Sequence, residues 1–231
     1  MKNIIITGGS SGIGLETARL LSKKNNVFVL DLNDNPIKNK NIYFYRCDVG
    51  NSLVVEKQIN KIVSKFGKID ILINCAGVQI ISSFENYDYK QWNKIMNTNY
   101  FGVCNTINSC LDHFNSNSTI LNIISVHSSV PRVGKYAYDS SKSAIEMLTK
   151  ELALEFASKK ITVNSLAFGA VNTNMNAGWS LEEQDKARAK VPLRIIFEPE
   201  EIAKFIYTII KYFSKYTTGS TFTIDGGRSL L

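Results

Sequence analysis

Short apolar runs alternate along the chain with longer segments in which apolar residues recur three and four apart. Asn3–Thr7, Val27–Asp31, Ile42–Asp48, Ile69–Asn74, Thr119–Val126, Thr162–Ala167 and Ser220–Asp225 have the length and composition of strands. Gly14–Lys24 reads as a helix, with Ile13, Ala18, Leu20 and Leu21 toward a core. Ser52–Phe66 repeats the pattern with Val55, Ile59, Ile62 and Val63. Tyr89–Phe114 holds one or two helices, Tyr138–Ser158 a long amphipathic one, and Pro199–Tyr212 another that opens on Pro-Glu-Glu. Strands that alternate with helices pair in parallel through right-handed crossovers. The expected fold is therefore α/β: a single doubly wound parallel sheet of about seven strands with helices on both faces, one domain over residues 1–231. Such sheets bind ligands beyond the carboxyl ends of their strands, so the residues that follow each strand are the candidates for chemistry. The long connection Asn172–Glu198 has no strand character and is expected to form a lid over the site.

Composition narrows the choice of function. With 231 residues, 44% hydrophobic and 20% charged, the chain can bury a sizeable core without staples. No apolar run has the length of a membrane span, and the apolar part of Met1–Gly8 is too short for a signal peptide. A cytoplasmic protein with no membrane partner is expected. Cys47, Cys75, Cys104 and Cys110 form no Cys-x-x-Cys pair, and the histidines are His113 and His127, so no metal is expected and the thiols read as free and buried. The net charge of +7 attracts phosphate, but the lysines are scattered singly or in pairs, as at Lys23-Lys24 and Lys159-Lys160, with acids between them. No basic stripe with interleaved aromatics emerges, and nucleic-acid binding is not expected.

The first strand runs straight into Thr7-Gly8-Gly9-Ser10-Ser11-Gly12-Ile13-Gly14 and then a helix. Glycines let backbone approach a ligand closely, and the helix N-terminus offers free N–H groups and a positive dipole end. A pyrophosphate fits there, which makes Gly8, Ser10, Ser11, Gly12, Ile13 and Gly14 candidate cofactor ligands. Asp31 ends the second strand. A carboxylate there accepts hydrogen bonds from ribose hydroxyls and repels a 2′-phosphate, which favours NAD over NADP.

Tyr138 and Lys142 stand four apart at a helix start, on one face. A free tyrosine is protonated at neutral pH, and a neighbouring lysine cation is expected to lower its pKa. Such a tyrosine can take the proton of an alcohol as hydride leaves, or return it. Ser125 ends the strand that precedes this helix, where its hydroxyl can stabilise charge developing on a substrate oxygen.

Taken together, Gly8-x-x-x-Gly12-x-Gly14, Ser125 and Tyr138-x-x-x-Lys142 resemble the short-chain dehydrogenase/reductase family, and the resemblance runs from Thr7 to Gly227. It implies a Rossmann-type fold and an oxidoreductase that passes a hydride between a nicotinamide cofactor and a small-molecule alcohol or carbonyl. Within it, Asn99, seven residues after Trp92 and three before Gly102, matches the Asn that helps to hold a water linking the lysine to solvent; Asn97 is its competitor. Asp48 and Val49 resemble the pair that meets adenine, and Asn74, Ala76 and Gly77 belong to an Asn-Asn-Ala-Gly element whose second Asn is Cys75 here. Val171 and Thr173 resemble the residues that grip the carboxamide, although Phe168 replaces the usual Pro before Gly169. Ser11 stands where NADP-using relatives often carry Arg or Lys, again favouring NAD.

Asn122–His127, Gly169–Ala177 and Phe197–Ile202 resemble the glucose 1-dehydrogenase branch of the family, which implies a sugar or polyol substrate. That branch carries a Glu where this chain has Gln79, an amide in place of an acid that accepts sugar hydroxyls, which argues against glucose itself. Gln79, His127, Val130–Tyr136, Met175, Trp179 and Leu181 are expected around the substrate, with Ser125 and Tyr138 touching it. The alternatives are an NADP(H)-dependent 3-oxoacyl or ketone reductase and a non-catalytic nucleotide-binding sensor; a sensor usually loses Tyr or Lys, and Tyr138 and Lys142 are both kept. Methyl transfer with S-adenosylmethionine shares a glycine turn and a strand-end acid but has no need of the Ser–Tyr–Lys set. The family commonly forms homotetramers or homodimers, and the apolar residues Ile145, Met147, Leu148, Leu152, Leu154 and Phe156 cover more than one face of their helix, in keeping with a second buried face.

Overall fold

The strand Asn3–Thr7 (β1) lies mid-sheet, pairing in parallel with Asn26–Asp31 (β2) on one side and Ile69–Asn74 (β4) on the other. Ile42–Arg46 (β3) extends the sheet past β2, while Phe114–Ser125 (β5), Thr162–Phe168 (β6) and Thr221–Ile224 (β7) extend it past β4. The order is β3-β2-β1-β4-β5-β6-β7, all parallel. This is the doubly wound sheet that the apolar pattern predicts, with its switch point between β1 and β4. The computed structural model describes residues 1–34, 38–173 and 179–231.

Alternation along the strands divides the core in two. Ile5, Phe28 and Leu72 face one side, where they pack with Val55, Ile59 and Ile62 of Ser52–Phe66 (α2), Val103 and Ile107 of Gly102–Cys110 (α4), and Ile145 and Phe156 of Tyr136–Phe156 (α5). Ile4, Ile6, Val27, Val29, Ile71 and Ile73 face the other, against Ala18 and Leu21 of Gly12–Leu21 (α1) and Ile202 and Ile206 of Pro199–Thr208 (α7). Apolar residues on both faces explain why these strands read as continuous runs.

A line of buried amides and hydroxyls crosses the first of these layers. Thr106 Oγ1 donates to Asn74 Oδ1 (2.7 Å), Asn74 Nδ2 to Asn122 Oδ1 (2.9 Å), and Asn122 Nδ2 to Thr149 Oγ1 (3.0 Å). It joins α4, β4, β5 and α5 in one register, each group satisfied by the next.

Several boundaries differ from the pattern-based expectation. β5 starts at Phe114, expected at a helix end, instead of at Thr119; the polar run Asn115-Ser116-Asn117-Ser118 hides the extension, and Asn117 takes a left-handed backbone (φ 65°) within the strand. α1 begins at Gly12 and α5 at Tyr136, each two residues earlier than expected. Tyr89–Phe114 divides into Tyr89–Met96 (α3) and α4, joined by a wide turn in which Gly102 N–H donates five residues back to Asn97 O. Within the supposed lid lies a helix, Leu181–Ala189 (α6), started by a capping box in which Ser180 and Glu183 bond each other's backbone N–H.

Asn122→Leu removes the middle of the polar line and leaves the Asn74 Nδ2 donor partnerless in the core, while the Thr149 hydroxyl keeps its bond to Ile145 O (2.8 Å). We expect a loss of about 2 kcal/mol, read as a lower urea midpoint with little change in slope.

Candidate active site

The glycine turn owes its shape to what lies against it. A side chain on Gly8, which has φ 68°, would meet Ala76 Cα at 2.8 Å, and one on Gly14 would meet Gly8 O at 2.2 Å. These positions admit glycine because strand-end loops converge on them. Thr7 Oγ1 accepts from both Cys75 N and Ala76 N (3.1 Å each), clamping the β4 loop to the β1 loop. A Cβ on Gly12 would stand 3.2 Å from the Thr173 methyl, so the loop after β6 closes over the same turn. Asp31 Oδ2 accepts from Ser10 N (2.9 Å) and its Oδ1 from Asn33 N (3.0 Å), which fixes the carboxylate at the end of β2.

An open cavity of about 1050 Å³ runs along this carboxyl edge. It brings together Gly8, Ser11, Gly12, Ile13, Gly14, Asp31, Asp48, Val49, Ala76, Gly77, Val171 and Thr173 with Ser125, Tyr138, Lys142, Gln79 and His127. Three expected residues stand behind its wall. Ser10 is turned away, its hydroxyl donating to Asn33 O (2.8 Å). Asn74 spends its side chain in the buried polar line. Asn99, fully buried, accepts from Val78 N (2.8 Å) and donates to Val78 O (3.0 Å) and Ser141 Oγ (3.0 Å). Its amide thus ties the loop that carries Gly77 and Gln79 to α5, while its competitor Asn97 does line the cavity. Around the expected substrate region, Trp179 reaches the cavity, Leu181 is exposed, and Met175 lies outside the described residues.

The start of α5 supplies the reactive group. Trp92 stacks on Tyr136 (5.6 Å, 20°), and Phe84 meets the same ring edge-on (5.2 Å), so an aromatic cluster anchors the turn from which Tyr138 projects. Ser125 lines the same cavity beside Tyr138, and its side chain opposes the rise of the phenol's pKa. One turn on, Lys142 Nζ donates to Ile123 O (2.9 Å) at the end of β5 and lies 5.7 Å from the Tyr138 ring centroid.

The electrostatics correct the sequence-based expectation. Burial pushes the Tyr138 phenol up to about 12, with the Ser125 side chain opposing the rise, instead of Lys142 bringing it down. Burial also brings the Lys142 ammonium down to about 8. Desolvation outweighs the attraction because both groups are nine-tenths enclosed and the ammonium's hydrogen bond goes to a carbonyl. By itself the chain therefore holds Tyr138 as a proton donor. Burial lowers the His127 pKa too; its Nδ1 is 2.8 Å from Val130 O, which makes that nitrogen the N–H of the neutral ring.

From the expected segment Val130–Tyr136, Arg132 and Lys135 do line the cavity; Asp139, next to Tyr138, which the sequence did not single out, accepts from Arg132 N (2.9 Å). A Lys three residues before a Tyr has no signature of its own; only burial distinguishes it from the other lysines of the chain. Lys186, Lys190 and Arg228 also reach the cavity, from α6, the residue after it and the C-terminal turn.

A glycine turn at a helix N-terminus and a Ser–Tyr–Lys set, joined on the carboxyl edge of one doubly wound sheet, define a Rossmann-type oxidoreductase. Residues 2–184 match the short chain dehydrogenase family, and the chain belongs to it. It is 29% identical over 245 aligned positions to glucose 1-dehydrogenase 2 of Bacillus subtilis, covering 99% of this chain and 95% of that one. Similarity of the same degree, 29% over 237 positions, extends to the 3-oxoacyl-[acyl-carrier-protein] reductase FabG of Buchnera aphidicola, covering 98% and 96%. A short chain dehydrogenase family protein of Francisella tularensis superposes with a TM-score of 0.93 at 28% identity, each chain covered fully. The protein is thus an oxidoreductase enzyme of this family, the members of which bind nicotinamide cofactors and small-molecule substrates. No helix among the described residues is long and apolar enough to cross a membrane.

Because the folded pKa of Lys142 lies below its ordinary 10.5, the unfolded chain holds the extra proton between about pH 8 and 10.5. The stability of wild type relative to Lys142→Met is therefore expected to rise with pH across that window and stay level below it, as measured by paired urea denaturations. A difference that falls with rising pH would contradict the assignment.

Proposed function

We propose that the protein transfers a hydride between NAD(H) and a small alcohol or carbonyl, with Tyr138 as general acid/base. The observation that carries this reading is the convergence of Ser125, Tyr138 and, one turn on, Lys142 in the same cavity as the glycine turn. When bound, the nicotinamide accepts or donates the hydride and, oxidised, adds a positive charge. Ser125 steadies the substrate oxygen while Tyr138 exchanges a proton with it, and Lys142 holds a positive charge at the base of the site. Asn99 positions this machinery from behind the wall; its water-holding part belongs to the family resemblance.

The cofactor ligands proposed are Gly8, Ser11, Gly12, Ile13 and Gly14 for the pyrophosphate, and Asp48, Val49, Ala76 and Gly77 for the adenosine side and the rings. Val171 and Thr173 would hold the carboxamide. Ser10 and Asn74 act through the backbone they brace. NAD is favoured over NADP because Asp31 is held facing the cavity by two backbone N–H groups, leaving a carboxylate where a 2′-phosphate would need a cation.

Similarity to glucose 1-dehydrogenase 2 favours a hydroxylated substrate such as a sugar or polyol, and similarity to FabG is the basis of the second reading, an NADP(H)-dependent 3-oxoacyl or ketone reductase. Gln79 and His127 stand on the cavity wall for either. A homotetramer or homodimer is supported by Phe101, Met147 and Leu154, large apolar side chains left exposed on the α4 and α5 side. Four free thiols are consistent with a reducing cytoplasm.

Tyr138→Phe keeps the ring and removes the exchangeable proton. Turnover with NAD(H) is expected to fall by about a thousandfold, while titration of NADH fluorescence shows binding unchanged and tighter than that of NADPH. Undiminished turnover in the variant would overturn the acid/base assignment.

A further inference from the structure

Lys135 is the least ordinary lysine in the molecule. Only 6% of it is exposed, and it lies on the cavity wall beside the reacting tyrosine, its Nζ 5.5 Å from the Tyr138 ring centroid. Its ammonium makes no ion pair and no hydrogen bond among the described residues, and the five ion pairs described there all lie elsewhere. An enclosed lysine whose ammonium meets no protein partner but reaches a cavity is placed to pair with a ligand there.

Its surroundings deepen the deficit. Lys135 is the N-cap of α5, where the helix presents its positive end and a cation is unfavourable. Arg132 stands on the same wall three residues earlier. The nearby acid is Asp139, whose Oδ2 is taken by Arg132 N and whose Oδ1 is buried with no hydrogen-bond partner. One carboxylate thus faces two cations and a helix N-terminus. Burial and Arg132 together hold the Lys135 ammonium down to about 8, the shift that an anion beside it would reverse. Across the wall, Gln79 adds an amide, and His127, with its Nδ1 committed to Val130 O, keeps its other ring nitrogen uncommitted.

We propose that the substrate is an anion, a short α- or β-hydroxy acid or the corresponding oxo acid, whose carboxylate is held by Lys135 while its carbinol or carbonyl carbon faces Tyr138. The closeness of Lys135 to the Tyr138 ring limits the substrate to a short one, with the carboxylate near the reacting carbon. In oxidation the C–H electron pair leaves as hydride to the nicotinamide, the O–H proton goes to Tyr138, and the carboxylate passes through unchanged. The assignment rests on the hydride-transfer reading above, and it separates from that reading because anion binding needs no turnover.

The experiment uses the full chain saturated with NADH. Binding of malonate is followed through the fluorescence of bound NADH, and turnover is compared for pyruvate against methyl pyruvate and acetoacetate against methyl acetoacetate. Wild type is expected to bind malonate and to prefer at least one acid to its ester in kcat/KM. Lys135→Gln is expected to lower that preference and the malonate affinity by about a hundredfold, and Lys135→Arg to keep much of both. Malonate binding that depends on Lys135, with no turnover of any pair, would uphold the anion site and sink the hydride reading. Acids and esters used alike, a preference that survives Lys135→Gln, or binding of inorganic phosphate in place of malonate would overturn the carboxylate assignment.

Discussion

The hydrogen bond from the buried Lys142 ammonium to the Ile123 carbonyl is the contact on which the site depends. It pins the first turns of α5 to the end of β5, so that Tyr138 and Ser125, on different elements, meet. A charged group could not be held there by packing alone; it needs a fixed acceptor, and a strand-end carbonyl supplies one at 2.9 Å. The cost of enclosing that charge appears as a lysine pulled down to about 8 and a tyrosine pushed up to about 12. Strain of this electrostatic kind is what an active site stores when the rest of the fold is stable enough to carry it.

The stable part is the polar line from Thr106 through Asn74 and Asn122 to Thr149, together with the Thr7 clamp on Cys75 and Ala76. These bonds fix the relative register of β1, β4, β5 and α5, which carry almost all of the reactive residues. Asn99 extends the framework by fastening the loop after β4 to α5. This framework braces the side of the cavity that holds Ser125, Tyr138 and Lys142, while the segment before α5 and the region of α6 form the rest of its wall.

Much of this was legible in the residue pattern. Continuous apolar strands alternating with helices implied the parallel sheet, because both faces must be covered. Position after a strand singled out the glycine turn, Asp31, Ser125 and the Tyr138 helix. What was not legible depended on three-dimensional burial. The extra length of β5 is hidden by Asn115-Ser116-Asn117-Ser118, polar residues of turn character that the sheet nevertheless recruits. Asn74 ends β4 and Ser10 sits in the glycine turn, both near the cofactor region, yet their side chains turn to the framework, which sequence spacing does not encode. The Tyr–Lys spacing was read as mutual attraction, whereas desolvation dominates once both are enclosed. Lys135 falls in the segment expected at the substrate, but its enclosure and the place of Asp139 beside it depend on neighbours distant in sequence, while the Ser180–Glu183 capping box is a readable signal for α6.

Burial keeps Tyr138 protonated in the folded chain, so a cationic partner in the cavity is needed to bring its pKa down. Tyrosinate absorbance, taken as the difference between wild type and Tyr138→Phe across a pH series, tests it most directly, with and without saturating NAD⁺. The titration assigned to Tyr138 is expected near 12 in the free protein and well below that when NAD⁺ is bound. A Tyr138 that already ionises near neutral pH in the free protein, unmoved by NAD⁺, would contradict it.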